Sequence, residues 1–79
     1  MFELFNDKIT YKENNEVIGY VLFSKKDDKT ISIDKVFVRD DKRGMGIGSK
    51  MLEYTYNYFS NKNIKIIYEC SYSKKWSKK

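Results

Sequence analysis

The sequence predicts a small mixed fold of the α+β or α/β class, in which antiparallel N-terminal strands lead into a βαβ unit and a short C-terminal helix. Three observations carry this prediction. Alternating apolar residues separated by turn signals occupy residues 1–38, as in consecutive strands. A glycine-rich loop then precedes a run with helical spacing, and a further strand-like run follows that helix.

Length and composition bound the architecture. The chain has 79 residues, of which 41% are hydrophobic and 16% aromatic. A chain of this size buries only roughly 60% of the surface that it exposes when unfolded, so its aromatic rings have to contribute to the core. We therefore expect a single domain over residues 1–79.

The N-terminal half contains three strand patterns and two turn patterns. Phe2–Phe5 and Lys8–Glu13 alternate as strands, and Asn14-Asn15 is a turn signal. The third pattern, Glu16–Ser24, carries apolar residues on both faces, which predicts a central strand covered on two sides. The charged segment Lys25–Lys29 then predicts a hairpin turn.

The fourth strand, Thr30–Val38, changes phase in its middle. Ile33 lies on an odd-numbered apolar face, whereas Val36 lies on an even-numbered one. A strand has a period of two, so its apolar face changes phase only where one residue is inserted. The sequence therefore predicts a β-bulge near Asp34-Lys35.

The C-terminal half predicts a helix, a strand and a second helix. From Gly48 to Asn61 apolar residues recur at helical spacing, and Ile64–Cys70 alternates as a strand. A strand, a helix and a strand form a right-handed parallel crossover. The last segment, Ser71–Lys78, predicts a short helix with Ser71 as its N-cap and Trp76 as its apolar anchor.

The segment Arg43-Gly44-Met45-Gly46-Ile47-Gly48 joins the fourth strand to the first helix. Glycines allow backbone N–H groups to approach a ligand because no Cβ stands in the way. The start of the helix directs its own free N–H groups and the positive end of its dipole to the same place, which favours phosphate oxygens. Arg43 and Lys50 add positive charge beside it.

Spacing decides between the known phosphate loops. A P-loop requires a glycine, four further residues and then Gly-Lys-Ser/Thr, and this sequence lacks that pattern. A dinucleotide-binding loop requires Gly-x-Gly-x-x-Gly, and here the third glycine is missing. The pattern Arg-x-x-Gly-x-Gly, with Arg43, Gly46 and Gly48, fits instead. It resembles the pyrophosphate-binding signature of the GNAT acetyltransferase superfamily, whose members bind acetyl-CoA.

The resemblance covers roughly residues 8–76 and includes the segment Lys65–Tyr72, which ends in Cys-Ser-Tyr as in minimal single-domain GNAT-like proteins. It implies a GNAT-like mixed sheet whose two parallel strands splay apart at the bulge and leave a slot for the pantetheine arm. The residues that it assigns to acetyl-CoA are Val36, Phe37, Val38, Arg43, Gly44, Met45, Gly46, Ile47, Gly48, Ser49 and Lys50.

The resemblance also implies an N-acetyltransferase, in which an amine attacks the thioester of acetyl-CoA directly. A backbone N–H of the splayed strand, at Val38 or a neighbour, then polarises the carbonyl. Cys70 or Tyr72 assists the departing thiolate, although Cys70 is equally interpreted as a small core residue. Related minimal proteins often carry a histidine where this chain has Lys35, which leaves the identity of the base open.

Other catalytic groups are few. The chain has no histidine and one cysteine, which excludes the common nucleophile pairs and a tetrahedral zinc site, so we expect no metal. Asp34, Asp40 and Glu69 are candidate bases, with surface carboxylates as the alternative interpretation. The acceptor amine cannot be read from the sequence.

Charge leaves other functions open. A net charge of +5 attracts polyanions in general, so a CoA-binding module without catalysis and a small nucleic-acid-binding domain are the alternatives. Nucleic acid is the weaker one, because no recognition motif is present. The absence of a signal-like or membrane-spanning run predicts a cytoplasmic protein, and we expect a monomer or a weak dimer.

Overall fold

The structure, a computed structural model, describes residues 1–78 and contains one five-stranded sheet with two helices. The strands lie in the sheet in chain order; the first four are antiparallel to their neighbours, and the fifth is parallel to the fourth. The predicted mixed sheet is confirmed. The elements are β1 Phe2–Leu4, β2 Lys8–Glu13, β3 Glu16–Asp27, β4 Thr30–Val38, a 3₁₀ turn Asp40–Lys42, α1 Ile47–Ser60, β5 Lys65–Tyr68 and α2 Ser71–Ser77.

The core lies between α1 and one face of the sheet. Ile9, Val21 and Ile33 point from three neighbouring strands towards Met51 and Leu52 of α1, and all five are fully buried. These two helical residues belong to the apolar stripe that the spacing predicts. The helix is thus held in place by apolar burial across the centre of the sheet.

The opposite face of β3 is less covered than the sequence predicts. Tyr20 and Leu22 are only half-buried, and Val17 is exposed. The ring of Tyr20 stacks on Phe37 of β4, with centroids 5.0 Å apart. Cross-strand stacking therefore shelters part of this face, whereas α1 packs on the other face, which carries Val21.

The predicted β-bulge is confirmed. Leu22 pairs with Lys35 and Phe23 pairs with Ile33, so Asp34 is the extra residue in β4. The insertion returns the apolar side chains that follow it to the face covered by α1. Two further register shifts have no counterpart in the sequence-based prediction. One lies next to Tyr11 in the pairing of β2 with β3, and the other lies between Lys25 and Asp27 in the pairing of β3 with β4.

The hairpin turn between β3 and β4 is shorter than predicted. The prediction of a turn from Lys25 is wrong, because Ser24, Lys25 and Asp27 continue to pair with β4. The turn itself contains only Asp28 and Lys29, and the Lys29 N–H donates to the Asp27 carboxylate at 2.8 Å. Paired charged side chains at a sheet end are tolerated because they remain in solvent.

The end of β5 also differs from the prediction. The strand ends at Tyr68 rather than Cys70, because the N–H groups of Glu69 and Cys70 both donate to Ile33 O, at 3.0 and 3.3 Å. The N-cap of α2 is Cys70 rather than Ser71. The β4–β5 ladder stops at Ile33, and the two strands separate beyond it, as the resemblance to GNAT proteins implies.

Two buried threonines give a matched test of packing. The Thr10 hydroxyl is buried and has no hydrogen-bond partner among residues 1–78, whereas the buried Thr55 hydroxyl donates to Met51 O at 2.8 Å. Replacing Thr10 by Val should raise the free energy of unfolding by about 1 kcal/mol, because an unsatisfied polar atom is removed.

The matched change Thr55→Val should leave the free energy of unfolding unchanged or lower it by about 1 kcal/mol. Urea unfolding of both variants, followed by circular dichroism, measures the difference. Equal destabilisation by the two changes would contradict the assignment of Thr10 as unsatisfied.

Candidate functional site

The loop between β4 and α1 depends on two left-handed glycines. Gly44 has φ +83° and Gly46 has φ +77°, a region that other residues rarely adopt. In the described part of the chain, a Cβ added at either position meets no heavy atom within 4 Å. Backbone conformation, rather than lack of space, is therefore the reason for glycine at both positions.

Gly46 is the N-cap of α1, and no side chain caps this end. The first hydrogen bond of the helix runs from Lys50 N–H to Gly46 O at 3.0 Å. The N–H groups of Ile47, Gly48 and Ser49 precede that bond, as the first donors of a helix do. They and the helix dipole form an anion-binding end without an acidic cap.

A cavity of about 450 Å³ opens beside this helix end. Two apolar residues of β4 and the ring of Tyr72 form its walls, and the loop forms its remaining side. The lining residues are Val36, Val38, Lys42, Arg43, Gly44, Gly46, Ile47, Gly48 and Tyr72. The cavity thus joins an apolar wall to a group of backbone donors.

Gly48 is a glycine for a different reason from Gly44 and Gly46. A Cβ at Gly48 would lie 2.6 Å from the Tyr72 hydroxyl oxygen and 2.9 Å from the ring carbon that bears it. The close approach of the first turn of α1 to the first turn of α2 at this position therefore requires glycine. The close approach places the phenol of Tyr72, a residue that is 46% exposed, at the cavity wall.

The edge of β4 that faces away from β3 contributes main-chain hydrogen-bonding groups to the candidate site. The Arg39 N–H donates to Ile18 O of β3 at 2.8 Å. Because N–H directions alternate along a strand, the N–H and C=O of Val38 point to the other edge. In agreement, Val38 O accepts from Arg43 Nε at 3.1 Å on that edge.

Most cations around the loop have carboxylate partners. Arg43 Nε lies 3.3 Å from Asp40, and Lys42 Nζ lies 3.6 Å from Glu13. Arg39 is hydrogen-bonded to Asp41, which raises the pKa of Arg39 and lowers the pKa of Asp41. The N–H groups at the start of α1, in contrast, have no acidic residue in the first turn beside them.

The Cys70 side chain forms hydrogen bonds at the N-terminus of α2. Its sulfur accepts the N–H of Ser73 at 3.3 Å and contacts the Ser73 hydroxyl at 3.1 Å. The Ser73 hydroxyl itself donates to Cys70 O at 3.0 Å and is fully buried. The thiol thus caps a helix, and it does not line the cavity that Tyr72 lines.

The structure brings together most, but not all, of the residues that the sequence singles out. Phe37 stacks with Tyr20 on the far face of the sheet, Met45 is 63% exposed, and Lys50 is exposed. Ser49 accepts a hydrogen bond from Trp76. Along with Cys70, these four do not line the cavity.

Lys42 lines the cavity although the sequence-based prediction omits it. Its only signal in the sequence is a charge next to Arg43. Within residues 1–78 there is no cluster of three or more metal-ligating side chains, and no helix there is both long and apolar enough to span a membrane.

Comparison with known proteins identifies the family. A family model described as GCN5-related N-acetyl-transferase matches residues 2–79. A GCN5-like protein from Staphylococcus aureus is 25% identical, with a TM-score of 0.78 over 99% of this chain and 78% of that one. No curated protein matches the chain.

Larger acetyltransferases share the fold. A GNAT family acetyltransferase from Elizabethkingia anophelis, solved with acetyl-CoA bound, is 27% identical with a TM-score of 0.70, over 77% of this chain and 40% of that one. A ribosomal-protein-alanine N-acetyltransferase from Brucella melitensis biovar Abortus is 16% identical with a TM-score of 0.70, over 80% of this chain and 50% of that one. The chain spans half or less of these two proteins.

The family match extends over all but the first residue of the chain. Members of this family use acetyl-CoA. The protein therefore belongs to the GCN5-related N-acetyltransferase family.

Proposed function

We propose that this chain transfers an acetyl group from acetyl-CoA to a primary amine, and that the uncapped N-terminus of α1 holds the diphosphate. One observation carries the proposal: the N–H groups of Ile47, Gly48 and Ser49 lack a capping side chain and adjoin the 450 Å³ cavity. Helix N-termini of this kind bind phosphate groups because donors and dipole act together.

The pantetheine arm fits the apolar side of the cavity. Val36 and Val38 line that side, where β4 has lost its parallel partner beyond Ile33. An extended arm with amide groups can pair with an unpaired strand edge as an added strand does. We therefore place the arm along β4, with the thioester towards the fork between β4 and β5.

Acetyl transfer then requires one bond to form and one to break. The lone pair of the neutral amine attacks the thioester carbonyl carbon, the N–C bond forms, and the C–S bond breaks. The N–H of Val38 is placed to polarise the carbonyl oxygen, because it points away from β3. The amine proton passes to a base, and the thiolate takes a proton from an acid.

Tyr72 is the better-supported acid for the thiolate. Its hydroxyl lies at the cavity wall against Gly48. Cys70 is the alternative that the sequence offers, but its sulfur already contacts the N–H and hydroxyl of Ser73. A group that donates in the transition state has to reach the leaving sulfur, and this geometry favours the phenol.

Asp34 is the candidate base with the most structural support. It is the extra residue of the bulge, at the point where the strands part. Its carboxylate accepts from the Ser32 hydroxyl at 2.7 Å, and Ser32 in turn lies 3.0 Å from the Ser24 hydroxyl. This chain of hydroxyls orients the carboxylate, which can accept the amine proton directly or through water.

A CoA-binding module without catalysis is the second candidate. The observation that favours it is the composition of the site, since the chain has no histidine and its single cysteine caps a helix. Binding without turnover is the expected behaviour in that case, so the same experiments separate the two functions.

The first test measures binding and turnover together. We expect acetyl-CoA to bind with micromolar or tighter affinity in calorimetry, and to shift the amide signals of residues 36–52 in NMR. Thiol release with a panel of primary amines should then exceed the rate without amine. Absence of heat from folded protein would exclude the proposal, whereas binding without amine-dependent release would select the second candidate.

A pair of variants matched in size but not in charge tests the phosphate site. Gly46→Gln and Gly46→Glu strain the same left-handed position equally, but only the glutamate adds negative charge where the diphosphate is expected. We expect Gly46→Glu to bind acetyl-CoA at least about tenfold more weakly than Gly46→Gln at low salt. Equal affinities in calorimetry would argue against phosphate binding at this helix end.

A second pair distinguishes the two candidate acids. Tyr72→Phe removes only the hydroxyl and should lower kcat about 100-fold while the Kd for acetyl-CoA stays unchanged. Cys70→Ala should leave kcat within about threefold and lower the free energy of unfolding by about 0.5–1 kcal/mol, because a helix cap is lost. The opposite pattern in steady-state kinetics would assign the acid to Cys70.

A further inference from the structure

One face of the sheet carries no helix within residues 1–78. Helix α1 packs on the face that carries Val21, and α2 contacts α1 through Trp76 and Tyr72. Side chains alternate along a strand and directly paired residues share a face, so the strand register identifies the side chains on the other face. We refer to its central part as the open face, which consists of Lys8, Lys12, Tyr20, Leu22, Lys35 and Phe37.

An apolar strip runs across the middle of the open face. Tyr20 of β3 pairs with Phe37 of β4, and the two rings stack with their centroids 5.0 Å apart and their planes at 23°. Leu22 follows Tyr20 on the same face, and all three side chains are half-buried. The β4–β5 ladder ends at Ile33, so no residue of β5 pairs with Phe37. On the side away from Tyr20, a planar ligand can therefore extend the ring stack.

Two lysines without an ion-pair partner flank this strip. Lys8 of β2 and Lys35 of β4 both pair with Leu22, so they lie on either side of it, about 10 Å apart across two strand spacings. Neither ammonium group forms an ion pair with a carboxylate of residues 1–78. Lys35 is exposed and Lys8 is half-buried, so both place positive charge beside the rings.

Two carboxylates on this side of the sheet already have partners. Glu3 forms an ion pair with Lys12 at 3.0 Å, and Asp34 accepts a hydrogen bond from the Ser32 hydroxyl at 2.7 Å. The groups left for a ligand at the strip are therefore two ammonium groups and a ring stack. They are complementary to a ligand that combines negative charge with planar rings.

We propose that the open face binds single-stranded nucleic acid, with a base stacked on Phe37 and phosphate groups near Lys8 and Lys35. Single strands expose base faces that a duplex buries, and aromatic side chains on an uncovered sheet bind such bases by stacking. The major groove of a duplex is read by a protruding helix or β-ribbon, and the open face presents neither. A single strand therefore fits this face better than a duplex.

The same observations disfavour two other occupants. A second copy seated face to face would bring the unpaired lysines of both copies together, which is electrostatically unfavourable. An acidic peptide would neutralise the lysines, but its carboxylate side chains offer no ring to stack on Phe37. Charge and aromatic character together therefore favour nucleic acid.

Fluorescence anisotropy of labelled oligonucleotides tests the proposal on the full chain. Oligo(U) and oligo(dT) of about 12 nucleotides are each titrated at about 50 and 200 mM salt, since stacking and phosphate contacts are available to both RNA and DNA. We expect at least one of them to bind, with a slope of log K against log salt of about −1.4, as for two phosphate contacts on a single strand. A duplex of the same length should bind about tenfold more weakly.

Two lysine variants of equal charge separate the open face from general attraction by the net charge of +5. Lys35 lies on the open face, whereas Lys62 follows the end of α1, and both side chains are exposed. Lys35→Gln should reduce the magnitude of the salt slope by about 0.7. Lys62→Gln removes the same charge elsewhere and should leave the slope within about 0.2 of that of the unaltered chain.

Two variants of Phe37 test the stacking. Phe37→Leu removes the ring and should weaken oligonucleotide binding about tenfold at equal salt. Phe37→Tyr keeps a ring at this position and should bind within about twofold of the unaltered chain. Thermal melts verify that both variants are folded, and the lysine pair tests the proposal even where a Phe37 variant unfolds.

Several results would overturn the inference. The open face is not a nucleic-acid site if the folded chain binds neither oligonucleotide, if the two lysine variants have equal slopes, or if Phe37→Leu binds as tightly as Phe37→Tyr. Equally tight binding of a polyglutamate of the same charge would indicate an acidic protein partner, and a dimer that Phe37→Leu dissociates would indicate a second copy.

The proposed acetyl transfer is tested separately. Val36 and Val38 line the cavity, and they alternate with Phe37, so they lie on the opposite face of β4. We therefore expect acetyl-CoA not to displace a bound oligonucleotide. Displacement would place the oligonucleotide in the cavity and overturn the inference, whereas failure of acetyl-CoA to bind in calorimetry would overturn only the proposed function.

Discussion

The end of the parallel ladder at Ile33 is the constraint on which the rest of the site depends. The last pair of this ladder joins Ile33 to Tyr68, and Ile33 O accepts the N–H groups of both Glu69 and Cys70 there. One residue later, Asp34 bulges and the following part of β4 changes phase. Together these two features open a fork whose edge carries unpaired main-chain groups, and an unpaired buried edge requires a partner.

The position of α1 follows from the same sheet. Gly19 on β3 lies tightly against both β4 and the helix, since a Cβ there would lie 2.5 Å from Phe37 O of β4 and 3.1 Å from the Met51 side chain of α1. The four glycines of the chain thus act in two ways. Gly44 and Gly46 allow a left-handed backbone, whereas Gly19 and Gly48 allow two elements to approach closely.

Charge contributes less to the site than the net charge of +5 suggests. Arg39, Lys42 and Arg43 all have carboxylate partners within 4 Å, and exposed pairs of this kind have small net effects. The start of α1 contributes the N–H groups of Ile47, Gly48 and Ser49, with no acidic residue in the first turn. Backbone dipoles keep their direction when side chains move, so they form a pre-organised anion site.

The sequence by itself determined the features that depend on local periodicity and local conformation. The odd-to-even phase change from Ile33 to Val36 predicts the bulge, and alternate glycines before an apolar helix predict the loop. These signals are readable because each is contained within about ten neighbouring residues. The mixed sheet follows from the order of such segments.

Tertiary structure alone decided the features that depend on residues far apart in the chain. It separated Cys70 from the cavity, placed the Tyr72 hydroxyl against Gly48, and joined Trp76 to Ser49 across 27 positions. No local pattern encodes which side of a short helix meets another element. That choice is made by packing, because it depends on where α2 comes to lie against α1 once the β4–β5 ladder has ended.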